Sequence, residues 1–187
     1  DLNGQATTVD YKNWSFFVVD RNSLLAVRLR DREWAQKKPF NGLAYFAYDP
    51  AWCIEAEWQS LSPPVAMEVP SVTGDLKTVL VDHKAVFEVA GQTVELLPMS
   101  VSDSQVFFVF RDRSSVKESY GAGRFLKASV APQECFLRGA VDGKISLNFN
   151  FAYNPPCAFT PAATCPLPPA ENRLPFPIRA GEQKPRA

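Results

Sequence analysis

Apolar and polar residues alternate along most of this chain with a period of two, the spacing of a half-buried β-strand. Leu25, Val27 and Leu29 fall on one side of a run whose other side carries Arg28 and Arg30. Trp52, Ile54, Ala56 and Trp58 alternate with Cys53, Glu55 and Glu57. Leu76–Val81 and Ala85–Val89 follow, then Gly91-Gln92 as a turn and Thr93–Leu97 as the returning strand. Val106–Phe110 is apolar at every position, which predicts a central strand buried on both faces. Ile145, Leu147, Phe149 and Phe151 alternate with Ser146, Asn148, Asn150 and Ala152. That spacing predicts one strand over 145–151, with Asn148 and Asn150 on a shared face.

Turn chemistry separates these runs at Asp20-Arg21-Asn22, Thr73-Gly74-Asp75, Gly121-Ala122-Gly123 and Asp142-Gly143-Lys144. No long stretch repeats every 3.6 residues, and the one helix expected is short, around Asp31 to Gln36. Short strands at intervals of roughly 8–12 residues predict an all-β fold, either an antiparallel β-sandwich or a partly open barrel.

The C-terminal segment breaks the pattern. Eight of the 16 prolines lie between Pro155 and Pro177. Proline fixes φ and removes a donor, so this stretch is neither a helix nor a central strand. Phe159, Cys165, Leu167, Leu174, Phe176 and Ile178 are interleaved with the prolines. The mixture predicts an extended Pro-rich strap over about 155–182, laid on a core of about 14–154. One domain spanning 1–187 is the expected organisation.

Composition narrows the function classes. With 20 basic and 20 acidic residues the formal net charge is zero, so no nucleic-acid partner is expected. No apolar run approaches the roughly 20 residues that span a bilayer, and no membrane partner is expected. The opening Asp1-Leu2-Asn3-Gly4 is not a signal-peptide start, and a cytoplasmic location is expected. The cysteines Cys53, Cys135, Cys157 and Cys165 match no zinc spacing. They are read as reduced structural thiols, with a local disulfide in the Pro-rich segment as the alternative. No metal and no cofactor are expected.

The single histidine, His83, excludes a site that needs two imidazoles, and it is read as a turn residue. Ser115 and Ser119 have no histidine nearby in sequence, so a Ser–His–Asp triad is not expected. The chain carries no G-x-S-x-G elbow, Walker loop, H-E-x-x-H or dinucleotide fingerprint. Trp14, Trp34, Trp52 and Trp58 are read as core or rim packing rather than as a ligand platform.

Two long segments carry a resemblance. Phe110-Arg111-Asp112-Arg113-Ser114-Ser115 leads into Glu118-Ser119-Tyr120-Gly121-Ala122-Gly123-Arg124-Phe125-Leu126. Asn148-Phe149-Asn150-Phe151-Ala152-Tyr153-Asn154-Pro155-Pro156-Cys157 leads into Cys165-Pro166-Leu167-Pro168-Pro169, Glu171-Asn172-Arg173-Leu174-Pro175 and Ile178-Arg179-Ala180-Gly181-Glu182. Together with Phe40–Phe46 and Tyr48-Asp49-Pro50, these resemble the uncharacterised bacterial and archaeal family known as domain of unknown function 1684. The likeness runs from about Leu24 to Glu182. Asn148 stands where that family is expected to carry Asp. The resemblance implies a unified fold and no particular activity.

Candidate chemistry concentrates in the same segments. Asp112 shares a strand face with Val106, Phe108 and Phe110, and an acid on an apolar face needs a partner. Arg124, past a glycine-containing turn, is the natural one. One reading is a buried ion pair fixing the hairpin. The other is a pocket with Asp112, Glu118 and Tyr120 as catalytic residues and Arg124 binding a ligand oxygen. Asn148 and Asn150 either tie down the strap or bind a ligand, and Tyr153, Asn154, Asn172 and Arg179 face the same choice. Two functions therefore stand side by side. One is a metal-independent enzyme acting on a small polar molecule at the junction of β-core and strap. The other is a non-catalytic domain binding a small ligand or a protein.

Overall fold

The computed structural model describes residues 6–21, 24–37, 40–102, 105–129 and 143–185. The expected turn residues Asn22 and Asp142, and Cys135, lie outside them. The alternating runs become antiparallel strands: β1 (Val9–Tyr11), β2 (Trp14–Arg21), β3 (Leu24–Asp31), β4 (Cys53–Pro70), β5 (Leu76–Val89), β6 (Gln92–Leu96), β7 (Ser100–Val101), β8 (Gln105–Phe110), β9 (Arg124–Ser129) and β10 (Lys144–Asn148). The protein is all-β, with antiparallel sheets of which one is curled into a half-barrel. Among the described residues no helix is long and apolar enough to cross a membrane.

Contacts divide the chain into two compact units, Asp1–Gly42 and Leu43–Ala187. The first holds the meander β1-β2-β3 and a single helical turn, α1 (Trp34–Lys37), close to where the sequence places its short helix. The Asp31 carboxylate organises that turn. It accepts from the Glu33 N–H at 2.9 Å and from the Asn13 amide at 2.8 Å, and it pairs with Lys37 at 3.1 Å.

The second unit holds two sheets, β10-β4-β5-β6 and β7-β8-β9, that face each other across one core. Ala56, Ala85, Phe87 and Leu96 meet Val106, Phe108, Phe110 and Leu126 there. β8 is buried on both faces, as its unbroken apolar run requires. Phe108 and Phe110 enter the main core, while Val109 joins Phe125 and Cys165 on the other side. The register of β4 against β5 shifts between Ser60 and Val65, where Pro63 and Pro64 supply no N–H to the ladder.

One strand is shorter than the alternation predicts. β10 ends at Asn148, and Phe149–Phe151 forms a 3-10 turn. The Asn148 carbonyl oxygen of its side chain accepts from the Asn150 N–H at 3.1 Å, the capping bond of that turn. Phe149 therefore enters the core while Phe151 is exposed, although a strand would place both on one face. The C-terminal segment then contributes Leu174, Ile178 and Ala180 to the same core.

Candidate functional site

Past Phe110, the chain forms a short parallel ladder with the C-terminal segment. The Arg111 N–H donates to the Asn172 carbonyl at 3.0 Å, and the Leu174 N–H donates to the Arg111 carbonyl at 2.7 Å. The Arg113 N–H donates to the Phe176 carbonyl at 3.1 Å. Side chains alternate along such a ladder, and that alternation sorts the polar residues. Asp112 and Leu174 turn inward and are buried, whereas Arg111 is half-buried and Arg113, Arg173 and Pro175 are exposed.

The inward side holds an ion pair. Arg124 opposes Phe110 across the β8–β9 ladder, and its Nη2 donates to the Asp112 carboxylate at 2.8 Å. Both side chains are 0% exposed. The guanidinium also donates to three carbonyls of the C-terminal segment: Ile178 at 2.8 Å, Ala180 at 2.5 Å and Glu182 at 3.2 Å. One cation thus satisfies alternate acceptors that would otherwise need a neighbouring strand. The other Asp112 oxygen accepts from the Ser114 N–H at 2.6 Å and the Ile178 N–H at 3.2 Å. Phe110 and Phe46 place their rings 5.4 Å and 5.9 Å from the guanidinium carbon. Burial pulls the Arg124 pKa down, and the Asp112 charge beside it works against that pull.

Two glycines let the backbones approach this closely. Gly123, at φ +98°, would place a side-chain carbon 2.5 Å from the Phe110 carbonyl oxygen. At Gly181, φ +75°, the same carbon would meet the Ala152 carbonyl oxygen at 2.4 Å. Only glycine occupies such positions without strain.

The other sequence candidates have partners of their own. Glu118 forms a two-pronged pair with Arg179 at 2.7 Å and 3.0 Å, and that guanidinium holds its carboxyl below the usual range. The Tyr120 hydroxyl donates to the Cys157 carbonyl at 3.0 Å, and burial pushes it up to about 12. Tyr153 exchanges backbone hydrogen bonds with Phe125 and meets its ring edge-on at 5.7 Å. The Asn154 amide donates to the Gln183 carbonyl, and its backbone N–H to the Glu182 carboxylate, both at 2.8 Å. Asn172 donates to the Leu97 and Val109 carbonyls at 2.8 Å and 2.9 Å and accepts from the Leu97 N–H at 2.9 Å.

Asn148 and Asn150 act elsewhere. Asn150 donates to the Asp49 carbonyl at 2.8 Å and accepts from its N–H at 3.1 Å. The amide pair thus holds the Tyr48-Asp49-Pro50 turn rather than the strap, because β10 stops at Asn148 and re-aims the second amide. Among the described residues no hydrogen bond joins Asn148 or Asn150 to Asp112, Glu118, Tyr120 or Arg124.

Two arrangements escaped the sequence reading. Arg111, Arg113 and Arg173 line a groove of about 460 Å³ with Ser115 and Pro175. Among the described residues these three guanidiniums have no acidic partner. Arg111 and Arg113 were visible in the motif, but only the parallel bridge brings Arg173, some sixty positions later, beside them. The second arrangement is Ser60, His83 and Asp82. Ser60 Oγ lies 3.3 Å from His83 Nε2, and His83 Nδ1 lies 2.9 Å from Asp82. The residues meet because Ser60 and His83 are partners in the β4–β5 register. His83 is therefore a strand residue, stacked on Trp58 at 5.2 Å, rather than a turn residue. Among the described residues no group of three or more His, Cys, Asp and Glu side chains is placed to hold a metal ion.

Comparison with known proteins agrees with the fold and supplies no activity. An uncharacterised protein of Haloarcula marismortui, solved by solution NMR, is similar over 79% of this chain and 78% of its own, with a TM-score of 0.58 and 29% identity. No curated protein matches. The family model described as protein of unknown function DUF1684 matches residues 38–183, beginning later than the Leu24 expected from the motifs. Those residues cover most of the chain and nearly all of its second unit, and the chain belongs to the DUF1684 family.

Proposed function

We propose that this chain is a non-catalytic binding domain for a small anionic molecule, seated in the groove between residues 111–115 and 173–175. The observation that carries this reading is the convergence of Arg111, Arg113 and Arg173 on one groove without an acidic partner among the described residues. Like charges set side by side repel. An arrangement that keeps them together is relieved by an anion, and the planar guanidinium fork matches a carboxylate or phosphate with two parallel hydrogen bonds. The groove volume of about 460 Å³ falls in the range of ligand pockets. Asp112 also borders the groove, but its carboxylate is spent on Arg124, Ser114 and Ile178.

The test is a thermal-shift panel of carboxylates, phosphate esters and neutral analogues, followed by calorimetry on the hits. Anionic compounds are expected to raise the melting temperature by mass action. Arg173→Ala is expected to weaken binding by tenfold or more, since a hydrogen bond to a charged group is worth about 1.5–3 kcal/mol. Equal responses to neutral analogues, or none to any compound, would sink the reading.

A second reading rests on Ser60, His83 and Asp82, which stand in the order nucleophile, base and orienting acid. The Asp82 side chain is 65% exposed, so water screens the charge that would steady the imidazole. Labelling by a fluorophosphonate that is lost in Ser60→Ala would favour this enzyme reading over the binding one.

A further inference from the structure

Cys157 and Cys165 lie in the C-terminal segment, apart from the arginine groove and from the Ser60 cluster. Local structure brings them together. Pro156–Ala158 is a 3-10 turn, and the Ala162 N–H donates to the Thr160 hydroxyl at 3.2 Å, so the chain doubles back between the two cysteines. The Cys157 N–H donates to the Cys165 sulfur at 3.3 Å, and the Cys157 side chain packs against the small cluster that holds Cys165. Cys165 is held from the far side as well. Its carbonyl accepts from the Val72 N–H at 3.2 Å, Pro166 bridges Ser71, and its side chain packs against Val109 and Phe125. Cys157 is half-buried, whereas Cys165 is 3% exposed.

We propose that Cys157 and Cys165 form a thiol–disulfide exchange site, which a small external disulfide converts into an intramolecular disulfide bridging the C-terminal segment. With the Cys165 sulfur 3.3 Å from the Cys157 backbone nitrogen, side-chain rotation is the movement that would bring the two sulfurs to the S–S bond length of about 2.05 Å. The more exposed thiol reacts first. Cys157 loses its proton and attacks one sulfur of the external disulfide, forming a mixed disulfide and expelling one thiolate, which takes up that proton. Cys165 then attacks the Cys157 sulfur. The Cys157–Cys165 bond forms, the mixed disulfide breaks, and the second thiolate leaves with the Cys165 proton. The two protein thiols are oxidised and the external disulfide is reduced to two thiols. Burial pushes the Cys165 thiol up to about 11, so it acts as the resolving partner and not as the first nucleophile.

Closure would fix the segment whose Cys157 carbonyl receives the Tyr120 hydroxyl. It therefore acts on the fit of this segment against the loop that follows β8. A cross-link that shortens the freedom of the unfolded chain raises stability.

The test uses the full chain, folded and reduced, with oxidised glutathione. The expected product has lost two hydrogens in mass, carries a Cys157–Cys165 link on peptide mapping, and melts at a higher temperature until a dithiol reductant reverses it. Cys165→Ser is expected to trap a glutathione adduct on Cys157, and Cys157→Ser to give no internal link. Where Cys165→Ser does not fold, mapping of the wild type and Cys157→Ser decides alone. A persistent adduct on wild-type Cys157, a link from either residue to Cys53 or Cys135, or no reaction would overturn the proposal.

Discussion

At the residue scale, Arg124 and Asp112 show how one side chain serves two accounts of hydrogen bonding. Their mutual pair is fully buried, and such pairs add little over a well-packed apolar replacement. Arg124, however, also satisfies the Ile178, Ala180 and Glu182 carbonyls. Asp112→Ala would leave a buried cation half-partnered and is expected to cost about 3–5 kcal/mol in urea unfolding. The double substitution Asp112→Leu with Arg124→Met tests the second role. If the pair alone mattered, it would restore stability. Because the Ala180 and Glu182 carbonyls would lose their donor and the Ile178 carbonyl would keep only the Ser114 hydroxyl at 3.5 Å, we expect it to stay well below the wild type.

At the element scale, the loop after β8 and the C-terminal segment are joined by polar contacts whose protonation matters. The Tyr120 hydroxyl donates to the Cys157 carbonyl, and a phenolate has no proton to donate. Its pKa of about 12 in the fold lies above the value of about 10 for a free tyrosine. Between those two values the unfolded chain gives up its proton while the folded chain keeps it. The contribution is therefore complete below pH about 10 and is lost as pH rises towards 12. Denaturation midpoints measured from pH 9 upward should fall over this window, and Tyr120→Phe should fall less steeply. An identical slope in the variant would show that Tyr120 is not the group responsible.

At the scale of the whole molecule, the C-terminal segment is part of the core and not an appendage to it. Leu174, Ile178 and Ala180 sit among Phe108, Phe110 and Phe149. Burying a large aliphatic side chain is worth about 1.5–3 kcal/mol, against a total stability of about 5–15 kcal/mol. A chain ending at Asn154 loses these side chains and the acceptors of Arg124 together. It is expected to show no cooperative thermal transition by near-ultraviolet circular dichroism. A sharp transition in that truncated chain would place the segment outside the folding unit.

The alternation of residues by itself determined the all-β class and the two-sided burial of β8, and it offered the pairing of Asp112 with Arg124 as one of two readings. Each depends on spacing within one or two neighbouring strands, where side-chain direction follows from the pleat. The end of β10 was not legible, because the capping bond of Asn148 competes with strand pairing and leaves the apolar rhythm of Phe149 and Phe151 intact. Nor were the partners of Arg173 or Ser60. Arg111 meets Arg173 through a bridge between distant segments, and Ser60 meets His83 through a ladder whose register shifts just beyond them. Only the tertiary structure decided these, since one residue of register turns a side chain to the opposite face. The same rule separates Asp112, sealed within the core, from the two arginines beside it that face the groove.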